Sequence, residues 1–207
     1  IAGSVASSFN SAMGKAKSEM SGLGSIAKKA AAIAAAAWGA LKIGQFIGDA
    51  VQVYSDFDQA MANTAAIAGA TAEQYEQLEA AALAMGRKTT KSATECAEAL
   101  GYMSLAGWDV KTSIQSLEPI LRLSEATQMD LATCSDLVTD SMSALGIETS
   151  RLGEYLDVAA MANNKSNQTA QQLMEAYLGV GGTLKGLNVP LQTSATALGV
   201  LANRGIK

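Results

Sequence analysis

A chain of 207 residues is long enough for one sizeable core or two small ones, and this one holds 49% hydrophobic, 5% aromatic and 16% charged residues, against roughly 25% charged in an ordinary soluble domain. With a formal net charge of −4 and no Lys/Arg face long enough to track a phosphate backbone, sequence-specific nucleic-acid binding is not expected, and the lack of histidine removes the commonest general base and metal ligand. Two prolines in a chain rich in Ala, Leu, Met, Glu and Gln favour helix almost throughout. The expected fold class is all-α: an N-terminal alanine-rich apolar helix followed by a multi-helix bundle of short helices.

Taken in order, residues 1–25 form a small-residue N-terminal segment, in which Gly14, Gly22 and Gly24 each cost a helix about 1 kcal/mol relative to Ala. It is helical only if a partner supports it. Because it opens on Ile1 with no basic leader-type segment, the chain is expected to be part of a longer one.

Residues 26–56 form the apolar helix. Its uncharged run from Ala30 to Leu41 is about half of the roughly 20 residues that span a bilayer, and apolar character resumes after Lys42, whose long stem could snorkel. Three readings stand together: a helix buried against copies of itself or in a larger assembly, a segment that enters a membrane at some stage, and a linker. Ile33, Trp38, Leu41, Ile43, Phe46 and Ile47 are the candidate membrane or helix-packing residues. Gly44 and Gly48 add a weak close-approach spacing.

Residues 57–207 read as a train of short helices. Thr71 to Gln74 and Ser92 to Glu95 have the capping-box pattern, in which the hydroxyl serves an orphan amide and the residue three later serves the cap's own N–H. They open helices over about 72–85 and 93–106, with Gly86 and Gly107 placed to close them. A segment over 110–127 contains Pro119, which predicts a kink or a break with the helix restarting there. Further helices fit 131–145, 150–163, 168–179 and 190–203, and the glycine-rich stretch from Gly179 to Pro190 reads as a flexible connection. Cys96, Leu100 and Met103, and then Leu131, Cys134, Leu137 or Val138, Met142 and Leu145, recur at three- and four-residue spacing, as core stripes do. Trp108 is the candidate core anchor, holding the Gly107 turn.

No pattern here specifies chemistry. Cys96 and Cys134 stand apart, as two buried reduced thiols would. Lys165 and Ser166 are neighbours and do not face each other on a helix. Glu73, Glu76 and Glu79 suit a solvated face near the positive end of a helix dipole. The glycines after Gly179 lack the order of a phosphate loop, since Lys185 precedes the last of them. The expectation is no enzyme, no cofactor and no metal.

Several stretches, in unbroken order, carry a resemblance: "FDQAMANTAAIAGATAEQYEQLEAAALAMG" (57–86), "TKSATECAEALGYMSLAGWD" (90–109), "LEPILRLSEATQMDLATCSDLVTDSMSALGI" (117–147), "LDVAAMANNKSNQTAQQLMEA" (156–176) and "TALGVLANRGIK" (196–207). Together they resemble the core region of phage tail tape-measure proteins. The resemblance implies a structural protein of a phage or phage-like tail, lying in the tail lumen near the tip, setting tube length in assembly and released at genome ejection. The partners it implies are copies of itself, a trimer on the tail axis among them, and tail-tube and tail-tip or baseplate hub proteins. The alternative it leaves open is a membrane-active effector that helps form a channel in the host inner membrane. A long ruler helix, and the segment that commonly follows "LANRGIK" in the family, do not appear in this sequence.

Overall fold

The computed structural model describes residues 40–206, with side chains from Gln52 onward. The described residues form eight α-helices and one 3₁₀ turn, with no strand: α1 (Ala40–Ala68), α2 (Ala72–Lys88), α3 (Ala93–Leu105), α4 (Val110–Thr127), α5 (Leu131–Leu145), the turn Thr149–Arg151, α6 (Leu152–Lys165), α7 (Ala170–Gly186) and α8 (Leu191–Asn203). The all-α class is therefore as expected. The alanine-rich stretch before Ala40 lies outside the described residues. The chain divides between Tyr54 and Ser55, and the unit from Ser55 onward is the compact bundle described below.

Local chemistry sets the helix ends. Thr71 accepts a hydrogen bond from the amide of Gln74 (3.2 Å) while the Gln74 side chain accepts from the amide of Thr71 (2.9 Å). Ser92 and Glu95 form the same reciprocal pair, and so do Thr169 and Gln172. Asp109 and Asp130 cap α4 and α5 by accepting from Thr112 and Thr133. Each such cap contributes about 1 kcal/mol relative to Ala. At the other ends, Gly69, Gly107 and Gly146 adopt positive φ, and the residue after each donates back into the helix: Ala70 to Ala65, Trp108 to Met103 and Ile147 to Met142. A side chain with a Cβ is strained in that left-handed conformation, which is why glycine stands there.

The bundle is built around α5. Leu131, Cys134, Val138 and Met142 along one side of it are buried, and α5 packs against α7 most extensively, then α3 and α4. α2 lies on α3 and α4, α6 on α4 and α7, and α8 on α6 and α7. Cys96, Leu100 and Met103 bring α3 into the same core, to which α1 adds Phe57, Ala60 and Met61. Each fully buried Leu, Ile or Met stabilises the fold by about 1.5–3 kcal/mol relative to exposure. Thr64 of α1 donates to the carbonyl of Ala97 in α3 (2.7 Å), and Gly101 makes room for it, since a Cβ there would lie 2.9 Å from the Thr64 hydroxyl.

Three local expectations are corrected. Gly86 does not end α2, which runs on to Lys88 and stops at Thr89. Its role is close approach, because a Cβ at Gly86 would come within 2.7 Å of the Ala93 amide at the start of α3. Pro119 does not break α4, which is assigned unbroken from Val110 to Thr127. The buried residues Leu117, Ile120, Leu121 and Leu123 on both sides of it hold the segment in register, and the carbonyl that loses its helical partner belongs to Gln115, on the exposed side. The stretch from Gly179 is not a flexible connection either. α7 continues through it to Gly186, and only 187–190 form the link to α8. Packing against α5 outweighs the poor helix propensity of four glycines, a tertiary override of local preference.

Candidate functional site

Ile33 and Trp38 lie outside the described residues. Leu41, Ile43, Phe46 and Ile47 fall on the first turns of α1. Among the described residues no helix is long and apolar enough to cross a membrane. Trp108 follows the Gly107 turn, half-buried, and packs against the core cluster.

Most buried polar side chains are hydrogen-bonded within the bundle, with Ser113 Oγ and Gln168 Oε1 the exceptions among the described residues. The Tyr155 hydroxyl meets Ser141 at 2.5 Å, and Ser141 in turn donates to the carbonyl of Leu137. Tyr177 meets Ser194 at 3.0 Å, and Ser194 donates to the Leu191 carbonyl. The two phenol rings stand 6.4 Å apart and tilted by 47°, a favourable aromatic geometry. These two tyrosines tie α6 to α5 and α7 to α8. Burial pushes both phenols up from their ordinary range, so they stay neutral donors. Sequence reading did not single them out. The available signal was their place within the apolar stripes Leu152, Tyr155, Leu156, Ala159 and Leu173, Met174, Tyr177.

Burial likewise pushes the Cys134 thiol up to about 12 and the Cys96 thiol up to about 11, with Glu95 adding to the effect at Cys96. Both are free and buried, a setting that suppresses thiolate reactivity. Ser166 donates to the Ala162 carbonyl (2.8 Å), which commits its hydroxyl to the end of α6. Glu73 and Glu76 are exposed and Glu79 is half-buried. Among the described residues no group of three or more His, Cys, Asp or Glu side chains is arranged to hold a metal ion.

What remains is surface. One cleft of about 420 Å³ opens beside Trp108, lined also by Met142, Ile147 and Glu148. A second, of about 240 Å³, runs between α6 and α8, with Met161, Lys165, Ala195 and Val200 among its walls. Leu105, Met161, Leu187 and Val200 are large apolar side chains more than half exposed. This arrangement provides contact surfaces held by a rigid helical frame.

Comparison with known proteins gives the frame an identity. The phage-related minor tail protein family matches residues 79–207, from within α2 through the end of α8. The tape measure protein of Pneumococcus phage Dp-1 is 30% identical over 162 residues, which cover 78% of this chain. The chain spans about 14% of that relative's length. No solved structure matches the chain. The match runs through most of the compact bundle rather than touching one motif in it, and on that ground the chain belongs to the phage tail tape-measure family, whose members are structural tail proteins.

Proposed function

We propose that this bundle is the ordered core of a tape-measure protein lying in the tail lumen near the tip, part of a longer chain that sets tube length during assembly and leaves at genome ejection. Copies associate about the tail axis as a trimer, in contact with tail-tube and tail-tip or baseplate hub proteins. The observation that carries the reading is the family match over 79–207 onto one compact helical unit. The narrow, alanine-rich helices and the low charge content of the chain suit a confined passage shared with nucleic acid, because a surface with few cations does not retain departing DNA. No observation favours the membrane-effector alternative: among the described residues no helix is long and apolar enough to span a bilayer, and residues 26–39 of its candidate segment lie outside them.

The test is a cryo-EM reconstruction of the intact particle without imposed symmetry. Axial density near the tip that fits α2 to α8 is the expected result and counts the copies directly. An axis without this bundle, with the chain located elsewhere by labelling, would overturn the reading.

A further inference from the structure

Two helices end at one cleft. α3 stops at Leu105 and α5 at Leu145, and Ala106, Trp108, Met142 and Ile147, from the last turn of α5 and the links that follow the two helices, line the cleft of about 420 Å³, a size common among ligand pockets. A helix C-terminus carries a partial negative charge, which a Lys or Arg in the last turn offsets. Neither helix has one. Lys185 reaches Gly146 from α7, on the side of α5 that bears Ala144, and does not line the cleft. The rim adds acceptors. Glu148 is exposed, caps no amide of the turn that follows it, and has no ion pair among the described residues; Arg151, three residues on, is spent on Glu154. The hydroxyls of Ser143, Thr149 and Ser150 stand at the same rim without a hydrogen-bond partner among the described residues. Asp136 and Asp140 lie three residues before Thr139 and Ser143, and hence beside them on the surface of α5. Both are exposed, and burial and then Asp140 raise the Asp136 carboxyl from its ordinary value, so no nearby cation offsets this charge. Beyond Trp108, Asp109 and Lys111 balance each other.

This combination selects a cation over a neutral group. An arginine side chain answers each part of it: the aliphatic stem covers Met142 and Ile147, the guanidinium plane lies against the Trp108 ring, and its five donors meet a rim of acceptors. The same carboxylates repel a phosphate. Leu105, 65% exposed beside Ala106, gives the rest of a partner an apolar ledge to cover. Of this chain's four arginines, Arg122 and Arg151 are already paired with Glu118 and Glu154, and a copy with a net charge of −4 is a poor source of the cation. We infer that the cleft beside Trp108 is a docking site for another tail protein, which inserts an arginine side chain between Trp108 and Glu148. The inference rests on the reading that the bundle contacts other tail proteins, and adds the place and the chemistry of one such contact.

Two measurements test it. On the full 207-residue chain, NMR follows the Trp108 indole N–H and the Glu148 amide during titration with N-acetyl-arginine amide, and with N-acetyl-citrulline amide as its uncharged match. Saturable shifts at both groups are expected from the arginine probe, with affinity at least fivefold weaker for citrulline and a comparable loss in Glu148→Gln. Because Glu148 is exposed and caps nothing, the E148Q chain should melt as the parent does, which separates loss of the site from loss of fold. No shift at Trp108, or equal affinity for the two probes, overturns the inference. In assembled tails, a benzophenone residue placed at Thr149, on the rim, is expected to crosslink to another tail protein within a few residues of an arginine, at least tenfold less when E148Q is added. A crosslink to a copy of this chain, no crosslink, or one indifferent to E148Q overturns the inference as well. Axial density for the bundle alongside any of these failures refutes the cleft and leaves the tail role standing. Binding of the arginine probe without axial density refutes the tail role and leaves the arginine site.

Discussion

The sharpest test of the packing is a pair of neighbouring glycines in α7. Gly182 is exposed, and a Cβ built there meets nothing within 4 Å. Gly181 is buried, and its Cβ would stand 2.9 Å from the Ala144 Cβ, 3.0 Å from its carbonyl carbon and 3.2 Å from its carbonyl oxygen. Ordinary carbon contacts lie near 3.5–4.0 Å, so Gly181→Ala must drive α7 away from α5 by several tenths of an ångström along the most extensive helix pair in the bundle. In a helix interior the change from Gly to Ala contributes up to about 1 kcal/mol, and Gly182→Ala should realise most of it. At 181 the same gain is set against an overpacking cost of about 1–3 kcal/mol. The two variants should therefore differ by about 2 kcal/mol, or about 4–8 °C in Tm for a domain of this size, with G182A above the parent and G181A below it. Thermal melts followed by far-UV circular dichroism decide the matter, and a G181A protein melting as high as G182A would refute the close approach of α5 and α7.

Tyr155→Phe removes the hydroxyl that meets Ser141 at 2.5 Å while leaving the ring in place, and should cost about 1 kcal/mol; an unchanged denaturation midpoint would show the bond to be idle. Stability should fall in acid. Backbone amides hold the carboxyls of Asp109, Glu125 and Asp130 below their ordinary values, so their contribution is present above the unfolded-state values of 3.8 for Asp and 4.5 for Glu and is lost as pH falls through the lower folded ones. Asp136 is raised by burial and by Asp140 and partly offsets this. Urea midpoints at pH 3 and pH 6 measure the net effect, which Asp109→Asn should reduce; equal midpoints would contradict it. A thiol reagent at pH 8 should leave the native chain unlabelled and find two thiols per chain in denaturant, since Cys96 and Cys134 are both buried; rapid native labelling would mean that the α3–α5 core opens readily.

Much of this fold was legible because helix starts are written in short-range chemistry. Thr71, Ser92, Asp109 and Asp130 each open a helix by accepting from an amide three residues on, a signal carried within four positions of the chain. The stripe Leu131, Cys134, Val138 and Met142 was equally plain, since one face of α5 supplies the middle of the core. Glycine was misread where its cause is tertiary. Gly86 serves the approach of α3, and Gly181 the approach of α5, partners that no local window contains. The clefts beside Trp108 and between α6 and α8 were illegible for the same reason, each being walled by segments distant in sequence.

Every helix pair in substantial contact is adjacent or next but one along the chain. An arrangement of this kind approaches a one-dimensional stack, in which free energy is a sum over near neighbours and a break at one end does not propagate to the other. α8 holds to the rest chiefly through α6 and α7 and through the amide of Asn167 in the link between them, which donates to the Asn203 side chain, so its release costs those contacts and leaves the α2–α5 packing in place. Native-state hydrogen exchange should show this as protection that declines from the α3–α5 centre toward α8, where uniform protection would mean a single cooperative unit. Such an arrangement can open from α8 inward, helix by helix. Because its contacts are close in sequence it can also close again quickly, without a template and without searching for distant partners.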